Sequence, residues 1–135
     1  MKLLKDILYK AGLEEVQGTT NLAVSGIVFD SRKVKKDSLF VATRGNNVDG
    51  HAYINKAIEL GANAIVCEEY PDQTFEHITY VKVKDTSFAL GIIASNFFDN
   101  PSEKIKLVGV TGTNGKTTTV TLLFNLFKQL GYTVG

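Results

Sequence analysis

The sequence predicts an α/β fold in two parts: a small α/β domain over residues 1–101, then the first strand–loop–helix unit of a parallel-sheet domain over 102–135. Three observations predict it. Short apolar runs alternate along the chain with segments whose apolar residues recur at helical spacing, the order that builds βαβ units. Asn100-Pro101 then stops the last helix of the first part. Beyond it, the apolar run from Ile105 to Val110 enters a glycine-bearing loop, and Lys116-Thr117 open a further amphipathic helix. One strand and one helix cannot bury their own faces. The second part therefore reads as the opening of a larger domain, and the chain as a fragment.

Element by element, Leu3, Leu4, Ile7, Leu8 and Ala11 share one helical face, and Gly12 follows as a terminator. Leu22 to Phe29 and Ser38 to Ala42 read as strands joined by the polar turn Asp30 to Asp37. A polar loop from Thr43 to Gly50 precedes a helix with Ala52, Tyr53, Ala57, Ile58 and Leu60 in its apolar stripe, ended by Gly61. Ala64 to Cys67 is a brief buried strand, Glu68 to His77 a solvated loop, and Ile78 to Val83 a strand. Asp85 can cap a helix that runs to Phe98. After the loop, a helix reaches Leu130 with Gly131 as its C-terminal cap, and Tyr132 begins what reads as another strand.

Composition narrows the function classes. With 135 residues and 44% apolar content, the chain can bury a core. Fifteen basic against fourteen acidic residues give a net charge of +1. No basic run exceeds Lys35-Lys36, which argues against a nucleic-acid surface. Charges every few residues from Met1 to Lys10 do not suit a signal peptide, and no segment suits a bilayer span, so no membrane partner is expected. A single cysteine, Cys67, has no internal disulfide partner and fits a reducing, cytoplasmic setting.

The segment with the clearest chemistry is Val110-Thr-Gly-Thr-Asn-Gly-Lys-Thr-Thr118. A buried strand, a loop with Gly112 and Gly115, Lys-Thr and a helix start together form a cradle for a polyphosphate. Glycines let backbone amides approach the anion, and the helix N-terminus adds partial positive charge. Lys116 would reach the outer phosphates as the catalytic cation, and the Thr117 hydroxyl would be a ligand to Mg²⁺. The spacing departs from G-x-x-x-x-G-K-[ST], since Val110 stands where the first glycine belongs.

Two regions together resemble one family, the Mur ligases of peptidoglycan synthesis. The loop from Val110 to Thr118 is similar to that family's ATP-binding loop, which uses this variant spacing. Upstream, Asp30-Ser-Arg32, Asp37-Ser-Leu-Phe-Val-Ala42, Arg44-Gly-Asn-Asn-Val-Asp-Gly-His51 and Gly61-Ala-Asn-Ala-Ile-Val66 resemble its nucleotide-sugar domain. Phe88-Ala-Leu90, Phe97-Phe98 and Asn100-Pro-Ser102 lean toward the diamino-acid-adding step, with the D-Ala-D-Ala-adding step as the alternative.

The resemblance implies an N-terminal UDP-MurNAc-binding domain, residues 1–101, and the start of an ATPase domain, 102–135. The implied chemistry is ATP-dependent ligation of meso-diaminopimelate or L-lysine to UDP-MurNAc-L-Ala-D-Glu through an acyl phosphate, with ATP and Mg²⁺ required. The UDP-MurNAc-dipeptide, ATP and the diamino acid are its small-molecule partners. Phe29, Ser31, Asn46, Asn47 and Val48 would line the UDP pocket; Gly112, Thr113, Asn114, Gly115, Lys116, Thr117 and Thr118 would bind ATP. The fragment alone is expected to be inactive. A stand-alone UDP-nucleotide-binding module remains the non-enzymatic alternative, and the apolar face of Val120, Leu123, Leu126 and Phe127 is a candidate for self-association.

Plainer readings stand beside these. Asp30-Ser31-Arg32 also suits an ordinary turn, and Arg32 suits either a phosphate contact or a plain surface position. Asp49 reads as a cap and His51 as a first-turn residue. His77 reads as solvated and Cys67 as a small core residue. Glu68 and Glu69, adjacent in sequence, would diverge on a strand and form no carboxylate pair.

Overall fold

The computed structural model describes residues 1–45 and 48–135, so Asn46 and Asn47 lie outside the described residues. The chain divides into two compact units, Met1–Pro101 and Ser102–Gly135.

The first unit is a three-layer α/β/α structure. Its sheet holds β2 (Leu13–Gln17), β4 (Gly26–Val28), β5 (Ser38–Val41), β6 (Ala62–Cys67) and β7 (Thr79–Val83) in the order β2-β7-β6-β5-β4. The four strands from β4 to β7 run parallel, and β2 pairs antiparallel with β7 at one edge. A separate two-stranded pairing joins β1 (Lys2–Leu3) to β3 (Ala23–Val24).

Strand alternation divides the core into two halves. Leu39 and Val41, Ala64 and Val66, and Val81 and Val83 face one way. They meet Leu4 and Ile7 of α1 (Leu4–Ile7), and Ala89 and Ile93 of α3 (Thr86–Phe97). Phe40, Ile65, Cys67 and Tyr80 face the other way, onto Ile54 and Ala57 of α2 (Ile54–Glu59). Both faces are covered, which explains why the central strands read as continuous apolar runs. The Tyr80 hydroxyl, inside the second half, accepts the Phe75 N–H at 3.2 Å.

Several elements differ from expectation. The N-terminal helix is one turn, yet Leu4, Ile7, Leu8 and Ala11 are buried as the stripe predicts. The single strand expected over 22–29 is two strands in different sheets. Ser25 separates them, its N–H donating to the Asp37 carbonyl at 2.7 Å and its hydroxyl to the Lys36 carbonyl at 2.8 Å. β2 has no counterpart in the sequence reading.

In the second unit, α4 (Lys116–Gln129) forms as expected. The strand expected over 105–110 does not. Ile105, Leu107 and Val108 are exposed, and no described strand pairs with the segment. A strand is held by its ladder and cross-strand contacts, so an apolar run without them stays outside any sheet. The strand expected from Tyr132 is also missing: the Tyr132 N–H donates to the Phe127 carbonyl at 3.0 Å, and its ring packs edge-on to Phe127.

Candidate functional site

Parallel pairing puts the carboxyl ends of β4, β5, β6 and β7 on one edge of the sheet, the edge at which open α/β sheets bind ligands. Phe29 follows β4 and is exposed, 61% accessible. Asp30 then caps a 3₁₀ turn, Ser31–Lys33, by accepting the Arg32 N–H at 3.0 Å. Ser31 is buried beneath this turn. Arg32 is bound bidentately to Asp30, through Nε at 2.9 Å and Nη2 at 2.8 Å. These bonds hold the Asp30 carboxyl down at about 2. The guanidinium itself stays on the surface.

The loop after β5 comes next. Arg44 and Asp49 form an isolated antiparallel bridge, and the Gly45 N–H donates to the Val48 carbonyl at 3.0 Å. Val48 is exposed. Gly50 closes the loop so tightly that a Cβ would lie 2.8 Å from the Thr43 carbonyl oxygen. Asp49 caps the following 3₁₀ turn, Gly50–Tyr53, by accepting the His51 N–H at 2.9 Å. That bond, then the His51 side-chain contact, lowers the Asp49 pKa.

Glu68 and Glu69 lie just past β6 and correct the expectation that they diverge. Both carboxylates reach Arg44, with Glu68 Oε2 3.4 Å from Nη1 and Glu69 Oε1 2.9 Å from Nη2. They leave the strand before its alternation can separate them. Glu68 Oε1 also accepts from the Thr86 N–H at 2.9 Å and its hydroxyl at 2.8 Å, at the start of α3. No local pattern marks Glu68 or Thr86 as partners, because the chain must turn through β7 to bring them together. Among the described residues no cluster of His, Cys, Asp and Glu is suited to hold a metal, and Cys67 is buried, its thiol pushed up to about 11 by desolvation.

In the second unit, Gly115 takes a left-handed φ of 75° as N-cap of α4, with no side-chain cap bond. Glycine has no side chain, so none from the N-cap position satisfies the first N–H groups of the helix. Gly112 has a φ of 147°. Lys116 folds back so that Nζ donates to the Gly112 carbonyl, which brings the ammonium over the loop. Thr113, Asn114, Thr117 and Thr118 are exposed around it.

The family model for the Mur ligase family, catalytic domain, matches residues 23–98. The chain belongs to the Mur ligase family. It is 56% identical over 133 residues to a UDP-N-acetylmuramoyl-L-alanyl-D-glutamate–2,6-diaminopimelate ligase of Cytophaga hutchinsonii, covering 98% of this chain and 27% of that protein. A ligase of the same name from Phocaeicola vulgatus is 47% identical over 135 residues, covering 100% of this chain and 28% of that protein. The chain thus spans little more than a quarter of the curated Mur ligases it matches.

Among solved Mur ligase structures, a UDP-N-acetylmuramoylalanyl-D-glutamyl-2,6-diaminopimelate–D-alanyl-D-alanyl ligase of Acinetobacter baumannii matches with TM-score 0.56 at 27% identity, over 79% of this chain and 23% of that one. MurF ligase of Thermotoga maritima, in complex with ADP, matches with TM-score 0.54 at 32% identity, over 76% and 23%. The mixed α/β fold with its parallel sheet is shared with these Mur ligases. No helix among the described residues is long and apolar enough to cross a membrane.

Proposed function

We propose that this chain is the nucleotide-binding N-terminal part of a ligase that adds 2,6-diaminopimelate to UDP-MurNAc-L-Ala-D-Glu at the expense of ATP. The observation that carries this reading is identity of 47–56% across essentially the whole chain to proteins bearing that name. The D-alanyl-D-alanyl ligase structure of Acinetobacter baumannii is less similar, at 27% identity, which favours the diamino-acid-adding step over the next one.

The first unit, residues 1–101, is the UDP-MurNAc domain, with Phe29, Ser31 and Val48 at its pocket. An exposed Phe29 ring offers a face to a pyrimidine, and Ser31 follows it closely beyond the carboxyl end of β4. The second unit, 102–135, holds ATP through Gly112 to Thr118. Lys116 offsets charge on the transferred phosphoryl group, and Thr117 holds the magnesium ion, for which a hydroxyl oxygen is a suitable ligand. The work is cytoplasmic, where ATP and nucleotide sugars are made.

Calorimetric titration with UDP-MurNAc-L-Ala-D-Glu tests the first unit, with Ser31→Ala as its control. Titration with Mg²⁺-ATP and Lys116→Ala tests the second. Saturable binding weakened by each substitution is expected. A folded chain that takes up the UDP ligand but never ATP favours a UDP-binding module instead; one that takes up neither refutes both.

A further inference from the structure

The loop over residues 43–50 has no large apolar anchor of its own. Arg44, Gly45, Val48 and Asp49 are all exposed, Thr43 is half-buried, and among the described residues of the loop only Gly50 is buried. Polar contacts must therefore set its position, and these form a closed ring. The Glu68 N–H donates to His51 Nε2 at 2.9 Å. A ring nitrogen that accepts is unprotonated, so Nδ1 carries the proton and donates to Asp49 Oδ1 at 2.7 Å. Asp49 Oδ2 faces Arg44 Nε at 3.6 Å, and Arg44 Nη1 faces Glu68 Oε2 at 3.4 Å. The circuit returns to Glu68, whose other carboxylate oxygen is fixed by Thr86, itself fully buried.

Both limbs of the loop, at Arg44 and at Asp49, are thus tied to the end of β6 and the start of α3. We infer that His51 and Glu68 are positioning residues, which hold Arg44, Val48 and Asp49 at the height over the sheet edge that a uridine diphosphate requires. The inference rests on the nucleotide reading above. It assigns no ligand contact to either residue. The apolar core beneath is complete without them, since neither belongs to it. Cutting the ring therefore loosens the loop more than it unfolds the unit.

The test uses UDP as the probe and three variants of this chain. His51→Asn keeps a donor near the Nδ1 position and loses the acceptor for Glu68. His51→Gln keeps an acceptor near Nε2 and loses the donor to Asp49. Thr86→Val removes the hydroxyl bond to Glu68 and leaves the backbone N–H bond, so it loosens Glu68 from the other side. Each is expected to raise the UDP dissociation constant about three- to tenfold, the loss of one or two hydrogen bonds. Amide exchange at Gly45 should quicken in the same variants. If wild type binds UDP and all three variants bind it equally well, the inference is overturned and the nucleotide reading survives. A folded wild type that takes up no UDP overturns that reading, and the inference with it.

Discussion

Gly50→Ala isolates the close packing at the base of the 43–50 loop. A Cβ at this position would stand 2.8 Å from the Thr43 carbonyl oxygen and 2.9 Å from Ala42 C and Thr43 N. All three are backbone atoms, so no rotamer change can relieve the contact. Ordinary contact begins near 3.4 Å, and the two segments must separate by about 0.5 Å. That movement stretches the Gly50 N–H bond to the Thr43 carbonyl, now 2.9 Å. Overpacking of this kind costs about 1–3 kcal/mol. At about 4–8 °C per kcal/mol for a unit of this size, the melting temperature should fall about 8–16 °C at the middle of that range. Gly91→Ala is the matched control. Gly91 lies inside α3 with nothing within 4 Å of its Cβ position, so alanine there should stabilise by about 0.5–1 kcal/mol. Urea unfolding and thermal melts of both variants are the assay. A neutral or stabilising Gly50→Ala would refute the steric argument.

Cys67 should resist thiol reagents at pH 8 in the folded chain and react fully in urea, since its buried thiol is pushed up to about 11; rapid native labelling would contradict this. Asp30 should titrate near 2, below its ordinary 3.8, with Arg32→Gln moving the midpoint back up. Because the folded value is the lower one, the stabilisation it provides is present above the unfolded carboxylate value and is lost as pH falls through about 2. NMR titration of the Asp30 carboxyl reads both, and an unmoved midpoint in Arg32→Gln would count against the bidentate pair. Ile93→Ala, in the fully buried half-core between α3 and the sheet, should cost about 2–5 kcal/mol in urea unfolding; a loss under 1 kcal/mol would mean that α3 is not seated as described.

Much of the first unit was legible because burial on both faces leaves a strong trace. Ser38 to Ala42 and Ala64 to Cys67 are apolar at every or nearly every position, and Asp85 announces α3 by a cap that accepts the Phe88 N–H at 2.9 Å. β2 left no such trace, because all five of its residues are exposed and three of them are Glu or Gln. The break at Ser25 is equally silent, since it depends on Lys36 and Asp37 rather than on its neighbours. For 105–110 the apolar run was real but its ladder partners were not. Loop chemistry shows the same limit. Asp49 as a cap follows from local spacing, whereas the convergence of Glu68, Glu69 and Arg44 depends on where β5 and β6 happen to end.

The sheet order also governs when the fold can be finished. β2 is the first strand of the five-stranded sheet to leave the ribosome, but its partner, β7, is the last strand of that sheet to be made, with Leu13 paired to Val83 and Gln17 to Tyr80. Every intermediate chain length therefore carries β2 with its pairing groups unfilled, while β4, β5 and β6 can assemble in turn behind it. Two glutamates on so short a strand discourage nascent chains from pairing with one another during that wait. Any chain cut short before β7 would carry the same open edge permanently, and quality control would meet it as an unmatched ribbon.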